Sequence, residues 1–360
     1  MPKPIGNYVG FATGTDNTSG DMDGVFNLFD QIRLRRLDQW IQAPVQASGG
    51  AIIPASDAGN GYKYHVFESS GSLIVTAGET TQADVLIVGG GGSGGGGQGG
   101  GGGGGGVVYG TSITLSPGTY PVTVGSGGAA IPTNVTYSSD GNNGSPSSFN
   151  SVTALGGGGG LRNNYGWPSY SPAPSGLAPN IANSGGGGGG SGPGAASKPR
   201  TPQPVPGDYT AYGGNAGATQ GGAPGASGGG GGGAGGASPG PNSPRPSGTS
   251  SPGGNGVAIP AFPATIIGPA IPAFYRSNFT ADVGPTGLYG GGGGGGEDGA
   301  AGNGLGGPGG GGQGGDTDTP NRRGAEFTGG GGGATGSNAS PHPYAPNTVG
   351  GSGIVIVRYQ

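Results

Sequence analysis

The sequence predicts an all-β chain: a small antiparallel β-sandwich closed by N- and C-terminal strands, with an inserted bundle of polyglycine II helices and one short N-terminal α-helix. Three observations predict it. Two apolar runs of matched character, Val85-Leu86-Ile87-Val88 and Ile354-Val355-Ile356-Val357, stand at the two ends of a glycine-rich region. Between them lie nearly pure glycine tracts, the first ending at Gly106 and interrupted only by Ser93 and Gln98, the others starting at Gly156, Gly185, Gly228, Gly290, Gly309 and Gly329. Short β-patterned segments bounded by turn residues flank the first tract.

Glycine has no side chain to bury, and ordering its backbone costs roughly 1 to 2 kcal/mol per residue. A tract is therefore either a solvated linker or a packed element held by its own backbone groups. Polyglycine II provides the second option. It is a left-handed helix with about three residues per turn and no internal hydrogen bonds, so every N–H and C=O is free to bond sideways. Linkers favour Gly/Ser mixtures, whereas these tracts are almost pure and alternate with aromatic-bearing segments, which points to the packed form. Collagen is excluded, because the 100 glycines among 360 residues come in blocks without a Gly-X-Y period.

Taken in order, residues 1–45 form an attachment or assembly segment. Tyr8, Val9 and Phe11 suit a short strand. From Gly24 to Ile41, apolar Val25, Leu28, Phe29, Ile32 and Trp40 fall near helical spacing, with Asp21 or Asp23 able to cap the start. Residues 46–61 read as a linker, and 62–360 as the glycine-rich domain. There, Tyr62 to Glu68, Ser72 to Ala77 and Ala83 to Val88 pattern as strands. Thr111 to Leu115 and Thr119 to Val124 flank Ser116-Pro117-Gly118 as an antiparallel hairpin with a type II turn. Ser147 to Leu155 is a further strand.

Composition narrows the function. Hydrophobic residues are 30% of the chain, too few for a core of matching size, so apolar burial must be local. A net charge of −4 with only three lysines and no basic run argues against nucleic acid. Without cysteine there is no thiolate chemistry or disulfide frame. No window approaches the roughly 18 apolar residues of a membrane span, so the chain is not expected to be membrane-embedded. No signal-peptide pattern opens the sequence, so work outside a cell requires lysis or carriage on a particle.

The ordered series Tyr64-His65-Val66-Phe67-Glu68-Ser69-Ser70-Gly71, Asp84-Val85-Leu86-Ile87-Val88-Gly89 into polyglycine, Leu115-Ser116-Pro117-Gly118-Thr119-Tyr120 and Gly350-Gly351-Ser352-Gly353-Ile354-Val355-Ile356-Val357-Arg358-Tyr359 resembles the glycine-rich domain of phage tail fibre and adhesin proteins. The resemblance covers roughly residues 62–360. It implies a place on a virion tail, function outside the cell, and binding to a bacterial surface glycan or outer-membrane protein. It brings no catalytic residues and no cofactor. The N-terminal segment is then expected to join other virion tail proteins, with a homo-oligomer, a trimer in the first instance, as the assembled form.

Chemical variety is confined to the segments between tracts. Arg162, Tyr165, Trp167 and Tyr170 form one aromatic group, and Phe274 and Tyr275 belong to a second with Phe262, Phe279 and Tyr289. Rigid aromatics mixed with Ser, Gly and Asn make a paratope-like composition, so these are the candidate receptor-binding residues. Three enzymatic or metal motifs fail on context. The Gly-x-Gly-x-x-Gly after Val88 runs on into glycine instead of opening the helix that a pyrophosphate needs. Gly91-Gly92-Ser93-Gly94-Gly95 lacks the strand-to-helix elbow and a partner among His65 and His342. Gly311 to Asp316 matches a single calcium nonapeptide where tandem copies are required. The expectation is a non-enzymatic adhesin; the alternative is a purely structural fibre, decoration or matrix subunit without a ligand.

Overall fold

The computed structural model describes residues 8–9, 25–26, 46–77, 81–97, 99–131, 139–162, 182–184, 204–218, 228–239, 250–296, 304–315, 323–336 and 348–360. Most of its regular structure is strand in antiparallel sheets, with few and short helices, so the chain is all-β.

One sheet has six strands in the spatial order Tyr209–Tyr212, Val107–Leu115, Thr81–Val88, Ile354–Tyr359, Lys63–Phe67, Ala51–Ile53. At its centre the two apolar runs pair antiparallel, Val88 opposite Ile354 and Val85 opposite Val357, as their matched character predicts. Both runs are continuous rather than alternating because both faces of this sheet are covered. Val85, Ile87, Val355 and Val357 lie in a cluster with Leu73, Val75, Val122 and Phe149 of a second sheet. Leu86, Val88, Ile354 and Ile356 lie in another, with Phe262, Ile267, Ile271 and Phe279 of a helical insert.

The second sheet has five strands, in the order Val152–Ala154, Ser147–Phe149, Gly118–Thr123, Gly71–Ala77, Gln46–Ser48. Its existence corrects three expectations. Val107–Leu115 and Gly118–Thr123 do not form a hairpin; the turn between them crosses from one sheet to the other. Tyr120 fixes that crossing, its hydroxyl donating to Ser116 O and accepting from Ser116 N, both at 2.9 Å. The crossing lets Leu115 and Val122 both face the shared cluster, which a flat hairpin would not. The expected strand Ser147 to Leu155 folds back on itself at Asn150, whose φ of 52° is a left-handed conformation that asparagine tolerates. Residues 46–61 were expected as linker, but they carry an edge strand of each sheet. Gly49 and Gly50 between them sit at positive φ, where a Cβ would strike Ser72 O or Val66 O.

The segment that carries Phe262, Phe274, Phe279 and Tyr289, expected as part of a binding surface between tracts, is a helical insert. Val257–Ala258 pairs with Leu288–Tyr289, and between them come helices Ala264–Ile267, Gly268–Ala270 and Ala273–Val283. Its prolines misdirect the eye: Pro263 and Pro272 each stand immediately before a helix, where a missing N–H costs nothing. Near the N-terminus, Tyr8–Val9 forms a strand as expected, but its partner is Val25–Phe26. Those two residues therefore are strand rather than the start of a helix, in keeping with the preference of β-branched and aromatic residues for sheets. The remainder of the expected helix, 27–41, lies outside the described residues.

Candidate functional site

The described glycine tracts run side by side, the first leaving the six-stranded sheet after Val88 and returning to it at Val107, and the tract at Gly185 lies outside the described residues. In both arms of the first tract the backbone hydrogen bonds follow a period of three. In the first tract Gly89, Gly92 and Gly95 donate to Gly106, Gly103 and Gly100 of its own returning arm. Gly90, Ser93 and Gly96 donate to Ser145, Asn142 and Ser139, while Gly91 and Gly94 donate to Gly351 and Thr348. The returning arm repeats the pattern. Gly100, Gly103 and Gly106 face Leu161, Gly158 and Leu155; Gly101 and Gly104 face Gly229 and Gly232; Gly102 and Gly105 face Gly332 and Gly329. Successive donors thus point to three different neighbours, and every third returns to the same one.

Such spacing tolerates only glycine. A Cβ at Gly102 would meet Gly92 O, with Gly92 C at 2.6 Å and Ser93 O at 2.8 Å. Equivalent collisions with a neighbour's carbonyl await a Cβ at Gly91, Gly104, Gly157, Gly231, Gly293 and Gly331. The exceptions within the described tracts are small residues: Ala234 and Ala334 are buried there, and three hydroxyl residues supply an acceptor. Buried Ser93 Oγ accepts from Asn142 N (2.7 Å), Thr335 Oγ1 from Gly97 N (2.9 Å) and Thr348 Oγ1 from Ile131 N (3.3 Å).

The described tracts also share one length. At the sheet end Gly290 donates to Thr328, Gly105 to Gly329 and Gly329 to Ser352. At the far end Gly96 meets Ser139, Gly100 meets Leu161, Gly228 meets Gly296, Gly296 meets Gly99 and Gly336 meets Gly315. Six residues, from Gly290 to Gly296, separate the two levels. Segments 132–138, 219–227, 240–249, 297–303 and 337–347 both leave and re-enter the described chain at the far end, and 163–181 and 316–322 leave from it. Gln46, where residues 1–45 join the sheets, lies at the opposite pole. It pairs with Ala77, the end of its strand that points away from the tracts.

This arrangement divides the residues singled out from sequence. Arg162 is exposed at the far end, its N–H donating to Asp140 Oδ1 at 2.9 Å. Tyr165, Trp167 and Tyr170 follow it in the chain and lie outside the described residues. Phe274 and Tyr275 belong elsewhere, on the helix against the six-stranded sheet, where Tyr275 meets Phe327 edge to face at 5.6 Å and Phe274 is 85% exposed. Phe262, Phe279 and Tyr289 are core residues; the Tyr289 hydroxyl donates to Phe262 O at 2.9 Å. Segment 132–138, with Asn134 and Tyr137, was not singled out, although its position after a polar, glycine-containing run was the available signal.

The rejected motifs have structural roles. Gly89 to Gly106 opens no helix. His65 is buried, its Nδ1 2.8 Å from Gly49 O and its Nε2 3.1 Å from Tyr359 Oη, and burial lowers its pKa. Among the described residues no three His, Asp or Glu side chains gather where a metal ion could sit, and no helix is long and apolar enough to cross a membrane. A family model described as a glycine-rich domain matches residues 68–360. No curated protein matches the chain.

Proposed function

This chain belongs to the glycine-rich domain family, and we propose that it is a non-enzymatic adhesin of a phage tail that binds a bacterial surface through segments displayed on a glycine scaffold. In this reading the two sheets are a β-sandwich closed by the strands Lys63–Phe67 and Ile354–Tyr359, and the tracts are a bundle of polyglycine II helices projecting from it. The observation that carries the reading is the polarity of the molecule. The described residues that flank the chemically varied segments lie at the far end of the tracts, and Gln46, which follows residues 1–45, lies at the other pole. A bundle held by lateral backbone bonds fixes the roots of those segments while leaving their sequences free, which is what a receptor-binding surface needs. Tyr and Trp within them supply rigid contact area, and Asn and Arg supply hydrogen bonds to a glycan or an outer-membrane protein.

Residues 1–45 are proposed to dock on other tail proteins, with a trimer as the assembled form, and the protein acts outside the cell as part of the virion. The test is adhesion of the purified protein to bacterial cells before and after stripping of surface glycan or surface protein. Replacing 163–181 or 337–347 by Gly/Ser chains of equal length should abolish adhesion and leave thermal unfolding unchanged. Adhesion that survives replacement of each far-end segment would overturn the proposal in favour of a purely structural fibre.

A further inference from the structure

The helical insert reaches Arg358 of the six-stranded sheet through Ala261 and Phe262. At the pole away from the glycine tracts, a cleft of about 240 Å³ is lined by Tyr62, Thr81, Gln82, Asp84, Ser112 and Gln360. Its charge is settled internally. Asp84 Oδ2 accepts from Arg358 Nε at 3.0 Å and Nη2 at 2.8 Å. The guanidinium lies 4.2 Å from the Tyr62 ring centroid and gives Nη1 to Ala261 O at 3.0 Å. Among the lining side chains the Asp84 charge is thus balanced by Arg358, leaving no excess side-chain charge to attract an ion.

Its remaining hydrogen-bonding capacity is mixed. Asp84 Oδ1 receives only a long 3.3 Å bond from Ser112 N. The exposed Gln82 amide has one 3.2 Å bond, to Thr114 Oγ1, leaving its carbonyl and a second N–H open. Ser112 and Thr81 add hydroxyls that donate or accept, and Tyr62 adds a ring edge. Ser112 is also strained. It stands at φ 54°, where the register between Val107–Leu115 and Thr81–Val88 shifts. A non-glycine residue held there is disfavoured, and such outliers gather at ligand clamps.

We propose that this cleft binds one neutral sugar ring. Ligand hydroxyls donate to Asp84 Oδ1 and the Gln82 carbonyl and accept from the Gln82 amide and the Ser112 hydroxyl, while C–H groups of the sugar ring contact the edge of Tyr62. The volume falls below the roughly 300 to 1,000 Å³ of drug-sized sites, so a single ring enters rather than a chain of several. The site is separate from the far-end segments, and the failure of either reading leaves the other untouched.

Ligand-observed NMR on the full chain with glucose, galactose, mannose and glucuronate tests it. At least one neutral sugar should give saturation transfer, and glucuronate none. Gln82→Ala should weaken the neutral sugar at least about fivefold. Ser112→Gly, which relieves the strained φ and removes the hydroxyl, should raise the melting temperature while weakening the sugar. Silence from all three neutral sugars, equal transfer to glucuronate, or unchanged sugar binding in both variants would overturn the proposal.

Discussion

Gly102→Ala should unfold the protein at a temperature several degrees lower, although it adds one methyl group to one of the 100 glycines. The new Cβ would press into Gly92 O, with Gly92 C and Ser93 O at 2.6 and 2.8 Å, all backbone atoms that have no rotamer in which to retreat. Relief requires the two arms of the tract to separate. Four bonds converge on the contact: Gly102 N to Gly332 O, Gly293 N to Gly102 O, Gly92 N to Gly103 O and Gly332 N to Gly92 O, each 2.8 to 2.9 Å long. At a net value of about 0.5 to 1.5 kcal/mol each, their loss amounts to roughly 2 to 6 kcal/mol, a large share of the stability of most domains. At about 2 °C per kcal/mol for a chain of this size, the melting temperature should fall by about 4 to 12 °C. Gly236→Ala is the matched control, because a Cβ there meets nothing within 4 Å. Scanning calorimetry of the two variants beside the parent decides the matter. Equal melting temperatures for Gly102→Ala and Gly236→Ala would refute the reasoning, since a solvated linker is indifferent to both.

Two titrating groups give opposite pH dependences. Burial, followed by Lys63, lowers the His65 pKa below its ordinary 6.5 against the opposing bond to Gly49 O, so the unfolded chain takes up the proton first. Its contribution to stability is complete above pH about 6.5 and is lost as pH falls through the folded pKa; His65→Gln should flatten that decline in melting temperature between pH 7 and 5. Burial raises Asp282 from 3.8 to about 6, so the folded state holds the proton more tightly. Its contribution is complete below pH 3.8 and is lost as pH rises through about 6. Asp282→Asn should therefore melt higher than the parent at pH 7.5 and at nearly the same temperature at pH 3.5; a lower melting point at pH 7.5 would contradict the burial argument.

The central strands and the sidewise use of glycine were legible because each depends on one local signal. Val85 to Val88 and Ile354 to Val357 are apolar on both faces, and pure glycine admits few packed forms. Which sheet a strand joins is a different kind of fact. Thr111 to Leu115 and Gly118 to Thr123 carry every mark of a hairpin, and only the second sheet, assembled from residues 46–48, 71–77 and 147–154, pulls them apart. The strands within 46–61 were hidden by glycines and short length, since three residues are too few for an alternation to show. In the insert, Pro263 and Pro272 looked like loop markers and proved to be helix starts. At the candidate site, Arg162 could be placed in a segment after a tract but not at a pole, because position along the bundle follows from the shared tract length. Phe274 and Tyr275 shared the composition of a binding loop, and the sheet face that recruits their helix has no local signature. Ser93 read as an interruption of its tract, and its hydroxyl replaces a neighbour's carbonyl as an acceptor for Asn142 N.

Amide hydrogen exchange on the native protein tests the laterally bonded scaffold most directly. Gly92, Gly101, Gly102, Gly293 and Gly332 each donate to a carbonyl of another tract or arm at 2.8 to 2.9 Å. Their protection should approach that of Leu86 and Ile356 in the central strands and should be lost together with it. Exchange of these tract amides at the rate of free polyglycine, beside a fully protected sheet, would contradict the account.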